Sequence, residues 1–221
     1  MATVAVASPW REDGMEHLRR LPRLESLSLQ GTNIGDAGLA QLKALTNLRT
    51  LNLGGTAITD SGLAHLERLT KLEQLSLFKT RITDAGLVYL EGLTHLGFLW
   101  LDGPAIGDAG IAHLERLTDL DYLDLGGTSV GDAGLAHLGG LTKLSKLHLN
   151  STKVTDAGLT HIAMLSSLEI LMLKNTAVSD VGLEQLKGHP SLHMLVLNGT
   201  KVTDAGVLRL QQALPRSKIV R

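Results

Sequence analysis

Residues 48–70 read LRTLNLGGTAITDSGLAHLERLT, and the spacing of leucines in this stretch decides how the whole chain folds. Leu51 and Leu53 flank a polar Asn52, the two-residue alternation of a strand with one buried face. After Asp60 the apolar positions Leu63, Leu66 and Leu69 recur at a spacing of three, as on one stripe of a short helix. The same order, LxxLxLxxTxITDxGLxxLxxLT, begins at Leu24, Leu48, Leu72, Leu96, Leu120, Leu144, Leu168 and Leu192, so eight copies follow one another at a period of 24 without insertion. A single strand–helix unit cannot bury its own apolar side. The copies must therefore stack, with their strands in one parallel sheet on the concave surface and their short helices on the convex one.

The ends carry the same phase. Gly14 to Leu21, GMEHLRRL, matches the GLAHLERL of a full copy, so residues 1–23 read as an amino-terminal cap and half repeat, with Val4 to Val6 as an extra strand and Trp10 closing the core. Residues 24–214 are the eight repeats. In the closing cap, residues 215–221, Pro215 stops the last helix and Ile219 falls in the phase of a ninth strand that protects the sheet edge. The expectation is one domain over residues 1–221, with no linker.

Over roughly residues 12–214 this pattern resembles the leucine-rich repeat family. The ITDxGL element, as in Ile58-Thr59-Asp60-Ser61-Gly62-Leu63, is most similar to the branch found in F-box substrate receptors and in many bacterial repeat proteins. That resemblance implies an α/β leucine-rich repeat solenoid, a horseshoe, whose usual work is recognition of other proteins. Thr32, Thr56, Thr80, Thr128, Thr152, Thr176 and Thr200 stand where the branch often has cysteine or asparagine, and no F-box or ligase segment flanks the repeats.

Bulk properties narrow the function classes. Lys plus Arg number 21 against 22 Asp plus Glu, a net charge of −1 that gives no long-range attraction to nucleic acid or an anionic membrane. With no cysteine, disulfides, zinc-thiolate sites and thiol nucleophiles are excluded. No run of about 18 apolar residues occurs and MATVAVASPW is no secretion signal, so a soluble, cytoplasmic protein without cofactor is expected.

Several repeated residues look chemical but serve the fold. The aspartates Asp36, Asp60, Asp84, Asp108, Asp132, Asp156, Asp180 and Asp204 each open a helix, where a carboxylate caps backbone N–H groups, so they read as caps and not as a calcium array. The glycine two residues on allows close backbone packing. The threonine column serves the turn after each strand, and in the fourth copy Pro104 replaces it. His17, His65, His113, His137 and His161, with Tyr89 between, form a convex column that reads as solvated structure, since no defined metal shell accompanies it. Asn150-Ser151-Thr152 and Asn198-Gly199-Thr200 match the glycosylation pattern only because the repeat supplies their threonines.

The three outward positions of each strand are what the repeat leaves free. They read Ser26, Thr50, Gln74, Phe98, Tyr122, Lys146, Ile170, Met194; then Ser28, Asn52, Ser76, Trp100, Asp124, His148, Met172, Val196; then Gln30, Gly54, Phe78, Asp102, Gly126, Asn150, Lys174, Asn198. Four of the six aromatic residues in the chain, Phe78, Phe98, Trp100 and Tyr122, fall on this face in three consecutive copies. Aromatic side chains dominate interface hot spots, so Trp100 and Tyr122 are the expected anchors, Asp102 and Asp124 the polar directors, and Lys146, His148, Met172, Lys174 and Met194 the rest of a protein-binding face. Mutual packing of Phe98 and Tyr122 as sheet stabilisation is the competing reading. The expected function is a non-enzymatic scaffold, a monomer, that binds a protein or peptide across copies three to eight. The alternatives are a substrate-receptor subunit of a ubiquitin-ligase-like assembly, or self-association through Ile170, Met172, Met194 and Val196. An enzyme would have to rely on Asp124 and His148, beside which no serine or cysteine nucleophile stands.

Overall fold

The computed structural model describes residues 2–5 and 12–221. Among the described residues ten strands form one parallel sheet in sequence order. They are β1 (Ala2–Ala5), β2 (Leu24–Ser28), β3 (Thr50–Asn52), β4 (Gln74–Ser76), β5 (Phe98–Trp100), β6 (Tyr122–Asp124), β7 (Lys146–His148), β8 (Ile170–Met172), β9 (Met194–Val196) and β10 (Lys218–Val220). The sheet is open, because β10 pairs with β9 and not with β1. The register repeats the sequence period, with Leu51 opposite Leu75 and Leu99 opposite Leu123. Each inward leucine thus stacks on its equivalent in the next coil, and Leu51, Leu53, Leu63, Leu66, Leu69 and their counterparts form one continuous buried core.

The extra amino-terminal strand forms at Ala2–Ala5, earlier than the expected Val4 to Val6, and Val6 and Trp10 lie outside the described residues. At the other end the helix Asp204–Ala213 stops before Pro215, and Ile219 sits in β10 as its phase required. On the convex side the short helices are one α turn, as at Asp60–Leu63 or Asp180–Leu183, often running into 3₁₀ as at Glu184–Leu186; the third copy is 3₁₀ throughout, Asp84–Leu90. The leucine spacing explains this. Three residues per turn is the 3₁₀ period, and a stripe at i, i+3, i+6 stays on one side of that tighter coil where an α-helix would carry it round.

Each threonine of the column donates its hydroxyl proton to its own coil, three residues back: Thr32 Oγ1 to Leu29 O and Thr56 Oγ1 to Leu53 O at 2.6 Å, Thr128 Oγ1 to Leu125 O at 2.7 Å. A buried carbonyl at the strand end is satisfied without help from the neighbouring copy. Before these threonines the chain turns through the left-handed region, at Gly31, Gly55, Gly103, Gly127 and Gly199 but also at Lys79, Ser151 and Asn175. In the fourth copy Gly103 takes the turn and Pro104, with its fixed φ, follows in place of threonine.

The aspartates do something different from capping their own helices. Asp60 accepts from the next coil, from Thr83 N at 2.8 Å and Thr83 Oγ1 at 2.6 Å; Asp36 does the same with Thr59, Asp132 with Thr155, and Asp156 with Ser179. Where glycine replaces threonine the backbone bond alone persists, Gly107 N to Asp84 at 2.6 Å and Gly131 N to Asp108 at 2.7 Å. The residue before the aspartate occupies the cap position wherever a helix begins at the aspartate, and at Thr83, Ser179 and Thr203 its side chain accepts from the first turn; the helix after Asp156 begins later, at Leu159. The aspartate column is therefore a set of rivets between coils.

The glycine column follows from it. A Cβ built at Gly134 would lie 2.6 Å from Asp108 Oδ1, and one at Gly158 would lie 2.5 Å from Asp132 Oδ1. The glycine clears space for the carboxylate of the preceding coil, which is a narrower reason than close backbone packing. The DxG spacing is thus one device spread over two neighbouring copies.

Candidate functional site

The outward positions of β4 to β7 bring the aromatic residues into a single cluster. In-register pairing sets Phe98 beside Tyr122, Trp100 beside Asp124 and Asp124 beside His148. The Phe98 ring lies 6.1 Å from Trp100 and 6.3 Å from Tyr122, both stacked, and Trp100 and Tyr122 are 5.1 Å apart. Stacking between neighbouring strands and recognition are compatible here. Phe98 and Tyr122 pack against the indole, and Trp100 itself also lines the open depressions of this face. Phe78 stands apart from the stack, 42% exposed, with Lys79 Nζ 5.0 Å above its ring.

A polar network closes the carboxyl-terminal side of the stack. The Tyr122 hydroxyl lies 3.0 Å from His148 Nδ1 and donates towards Asp124 Oδ2 at 3.3 Å, while His148 Nδ1 is 3.4 Å from Asp124 Oδ2. The His148 ring meets Tyr122 edge-on at 5.0 Å. Gly126 N donates to Asp124 Oδ1 at 2.9 Å. Burial and the nearby Asp124 charge push the Tyr122 phenol up to about 12. Burial alone would raise the Asp124 carboxyl, but hydrogen bonds from His148, Gly126 and Tyr122 outweigh it and hold the group below its ordinary value. At neutral pH the cluster is a neutral phenol beside an ionised carboxylate. Such a phenol orients its neighbours and is a poor nucleophile.

Two depressions flank the Phe78–Trp100 wall. One, of about 410 Å³, is floored by Thr50, Asn52, Gln74 and Ser76 and walled by Phe78, Trp100 and Asp124. The other, of about 300 Å³, lies towards the strand ends and is lined by Phe78, Trp100, Asp102, Asp124, Gly126 and Asn150 among others. Asp102 Oδ1 there accepts Lys79 N at 2.6 Å, and Asn150 Oδ1 accepts Lys174 N at 2.9 Å.

Of the eleven residues singled out from the sequence, Phe78, Trp100, Asp102 and Asp124 border these depressions; Phe98, Tyr122 and His148 support them; Lys146, on the strand of His148, and Met172, Lys174 and Met194, on later coils, line neither. Thr50, Asn52, Gln74 and Ser76, which floor the first depression, are not among the eleven. The concavity reaches back into copy two, outside the span of copies three to eight that side-chain type suggested. A cavity forms where short side chains lie next to tall ones, and the signal was there in the step from Ser76 to Trp100 across one strand pair. On the convex side His65, His113, His137 and His161 are half-buried and His17 is exposed; His113 pairs with Glu91 of the preceding coil at 2.7 Å, and His137 pairs with Glu115.

A curved parallel sheet with an aromatic-walled concave surface, backed by one-turn helices, defines the class of proteins built as open repeat solenoids for recognition. A leucine rich repeat model matches residues 22–82 and a second one residues 140–163. Internalin C2 from Listeria monocytogenes is similar in structure, with 30% identity over 92% of this chain and 76% of that chain and a TM-score of 0.65. The chain belongs to the leucine-rich repeat family. No curated protein matches it. Among the described residues no helix is long and apolar enough to cross a membrane.

Proposed function

We propose that the protein is a non-enzymatic scaffold that binds a protein or peptide on its concave sheet, through the aromatic and acidic patch of copies three to five. The observation that carries this reading is the Trp100 wall. The fold prescribes leucine at the inward positions and nothing at the outward ones, yet three stacked aromatics and the exposed Phe78 are gathered there over a depression large enough for side chains. Family membership agrees with a binding role, although a fold does not name a partner. The Asp124–His148 pair is read as part of the support for Tyr122 and not as an acid–base couple.

The test is affinity capture with the wild type and with a Trp100→Ala, Tyr122→Ala variant shown by circular dichroism to be folded. A partner retained by the wild type and lost by the variant supports the patch as the working surface. Identical capture by both removes it. A second reading, self-association, draws on the pairing of Ile170 with Met194 and Met172 with Val196, which makes one contiguous apolar patch. Sedimentation would show a mass that rises with concentration and falls to the monomer in a Met172→Asp, Met194→Asp variant; an invariant monomer refutes it.

A further inference from the structure

The charge of the concave depressions is one-sided. Asp124 lines both and Asp102 lines the second, while no lysine, arginine or histidine lines either among the described residues. Both carboxylates keep acceptor capacity. Asp124 makes one short bond, to Gly126 N at 2.9 Å, and its other oxygen meets Tyr122 and His148 only at 3.3 and 3.4 Å. Asp102 spends one oxygen on Lys79 N. An ionised carboxylate has about four lone-pair sites, so Asp102 keeps most of them for an incoming donor, and Asp124, with only one short bond, keeps room for one.

Resting on the reading of this face as the peptide-binding surface, we propose that the depression between Phe78, Trp100 and Asp124 takes the cationic side chain of an extended peptide, an arginine or lysine, set against the indole and paired with Asp124. Indole is the strongest cation–π face among side chains, and a planar guanidinium can stack on it while reaching a carboxylate. Lys79 over Phe78 is the same pairing made within the chain at the rim of the site. Other occupants meet a penalty. An acidic side chain would be repelled by Asp124, and an apolar one would strip water from that carboxylate without replacing its hydrogen bonds. The floor of Thr50, Asn52 and Gln74 offers hydroxyl and amide oxygens as further acceptors.

The same face gives the peptide a direction. Lys146 and Lys174, towards the carboxyl end, form no ion pair among the described residues, so peptide residues passing there are neutral or acidic. From β3 to β7 is four strand steps, roughly 19 Å at about 4.8 Å each, which an extended segment of about six residues covers.

The experiment selects displayed random linear peptides against the full chain, counter-selects on the folded Trp100→Ala, Tyr122→Ala variant, and measures resynthesised binders by calorimetry. The expected result is an arginine or lysine at a shared position. Replacing it with citrulline or norleucine lowers affinity for the wild type by roughly tenfold or more. Asp124→Asn lowers affinity for the cationic peptide by a similar factor, and the preference for the cationic over the neutral peptide falls towards one. Two results overturn the inference: patch-dependent peptides with no cation, or citrulline replacement that costs nothing; either would leave the concave face standing as a binding surface. If no selected peptide depends on Trp100 and Tyr122, the cation site and the proposed function fall together. The citrulline arm itself uses unaltered protein, so the test for the cation does not rest on the folding of Asp124→Asn.

Discussion

Gly86→Ala is the sharpest test of how the coils are joined. In an ordinary helical turn such a change stabilises by about 0.5–1 kcal/mol, because alanine loses less backbone entropy than glycine. Here the sign should reverse. The new methyl group would overlap Asp60 Oδ1 and come 3.0 Å from its Cγ, and that carboxylate is the acceptor for Thr83 N at 2.8 Å and Thr83 Oγ1 at 2.6 Å. Displacing it breaks charge-assisted hydrogen bonds worth roughly 1.5–3 kcal/mol each, part of which water restores at a half-buried site. Less the helix gain, the net loss is about 2 kcal/mol, or about 4–8 °C in Tm for a chain of this length. The assay is a double-mutant cycle with Asp60→Ala, followed by urea unfolding and by amide exchange at Thr83. With the carboxylate gone, the nearest remaining obstacle is Asp60 Cα at 3.2 Å, and Gly86→Ala should become neutral or slightly favourable. The coupling between the two changes should then be about 2 kcal/mol. A Gly86→Ala protein more stable than wild type, or two effects that simply add, would refute the rivet.

Other outcomes follow from single sites. Ser151 holds φ at 57°, a conformation that costs a non-glycine residue about 1–2 kcal/mol, so Ser151→Gly should raise the urea midpoint by the equivalent of about 0.5–1 kcal/mol after glycine's own entropic cost. Leu99 is fully buried in the central strand, and Leu99→Ala should destabilise by about 2–5 kcal/mol in the same assay. In a pH titration of absorbance, one phenolate step should appear at about 12 and vanish in Tyr122→Phe. The Asp124 carboxyl is depressed in the fold, so its contribution to stability is complete above the unfolded value and disappears as pH falls through the folded one; Asp124→Asn should flatten that acid limb of the stability curve.

Much of the architecture was legible before any coordinate. A period of 24 carrying LxL and then leucines at spacing three admits one solution in three dimensions, because each copy's apolar side can be covered only by the next copy. The composition of the concave face was equally readable, since alternation along a strand assigns Phe98 and Trp100 outward on either side of the buried Leu99.

The repeat, the face each residue occupies and the copies that break the pattern are therefore properties of the chain alone. What those residues touch is fixed by the stacking of the coils. Asp60 and Thr83 are 23 positions apart, and nothing in a single copy distinguishes a carboxylate that caps its own turn from one that accepts from the next coil. Tyr122 and His148 are 26 apart and meet at 3.0 Å because parallel registration sets their strands side by side. The depressions depend on the relative heights of side chains from neighbouring strands, Ser76 low beside Trp100. Local sequence specifies backbone direction and side-chain face, whereas a contact or a cavity is a relation between coils, and it exists only once the stack has closed over the core.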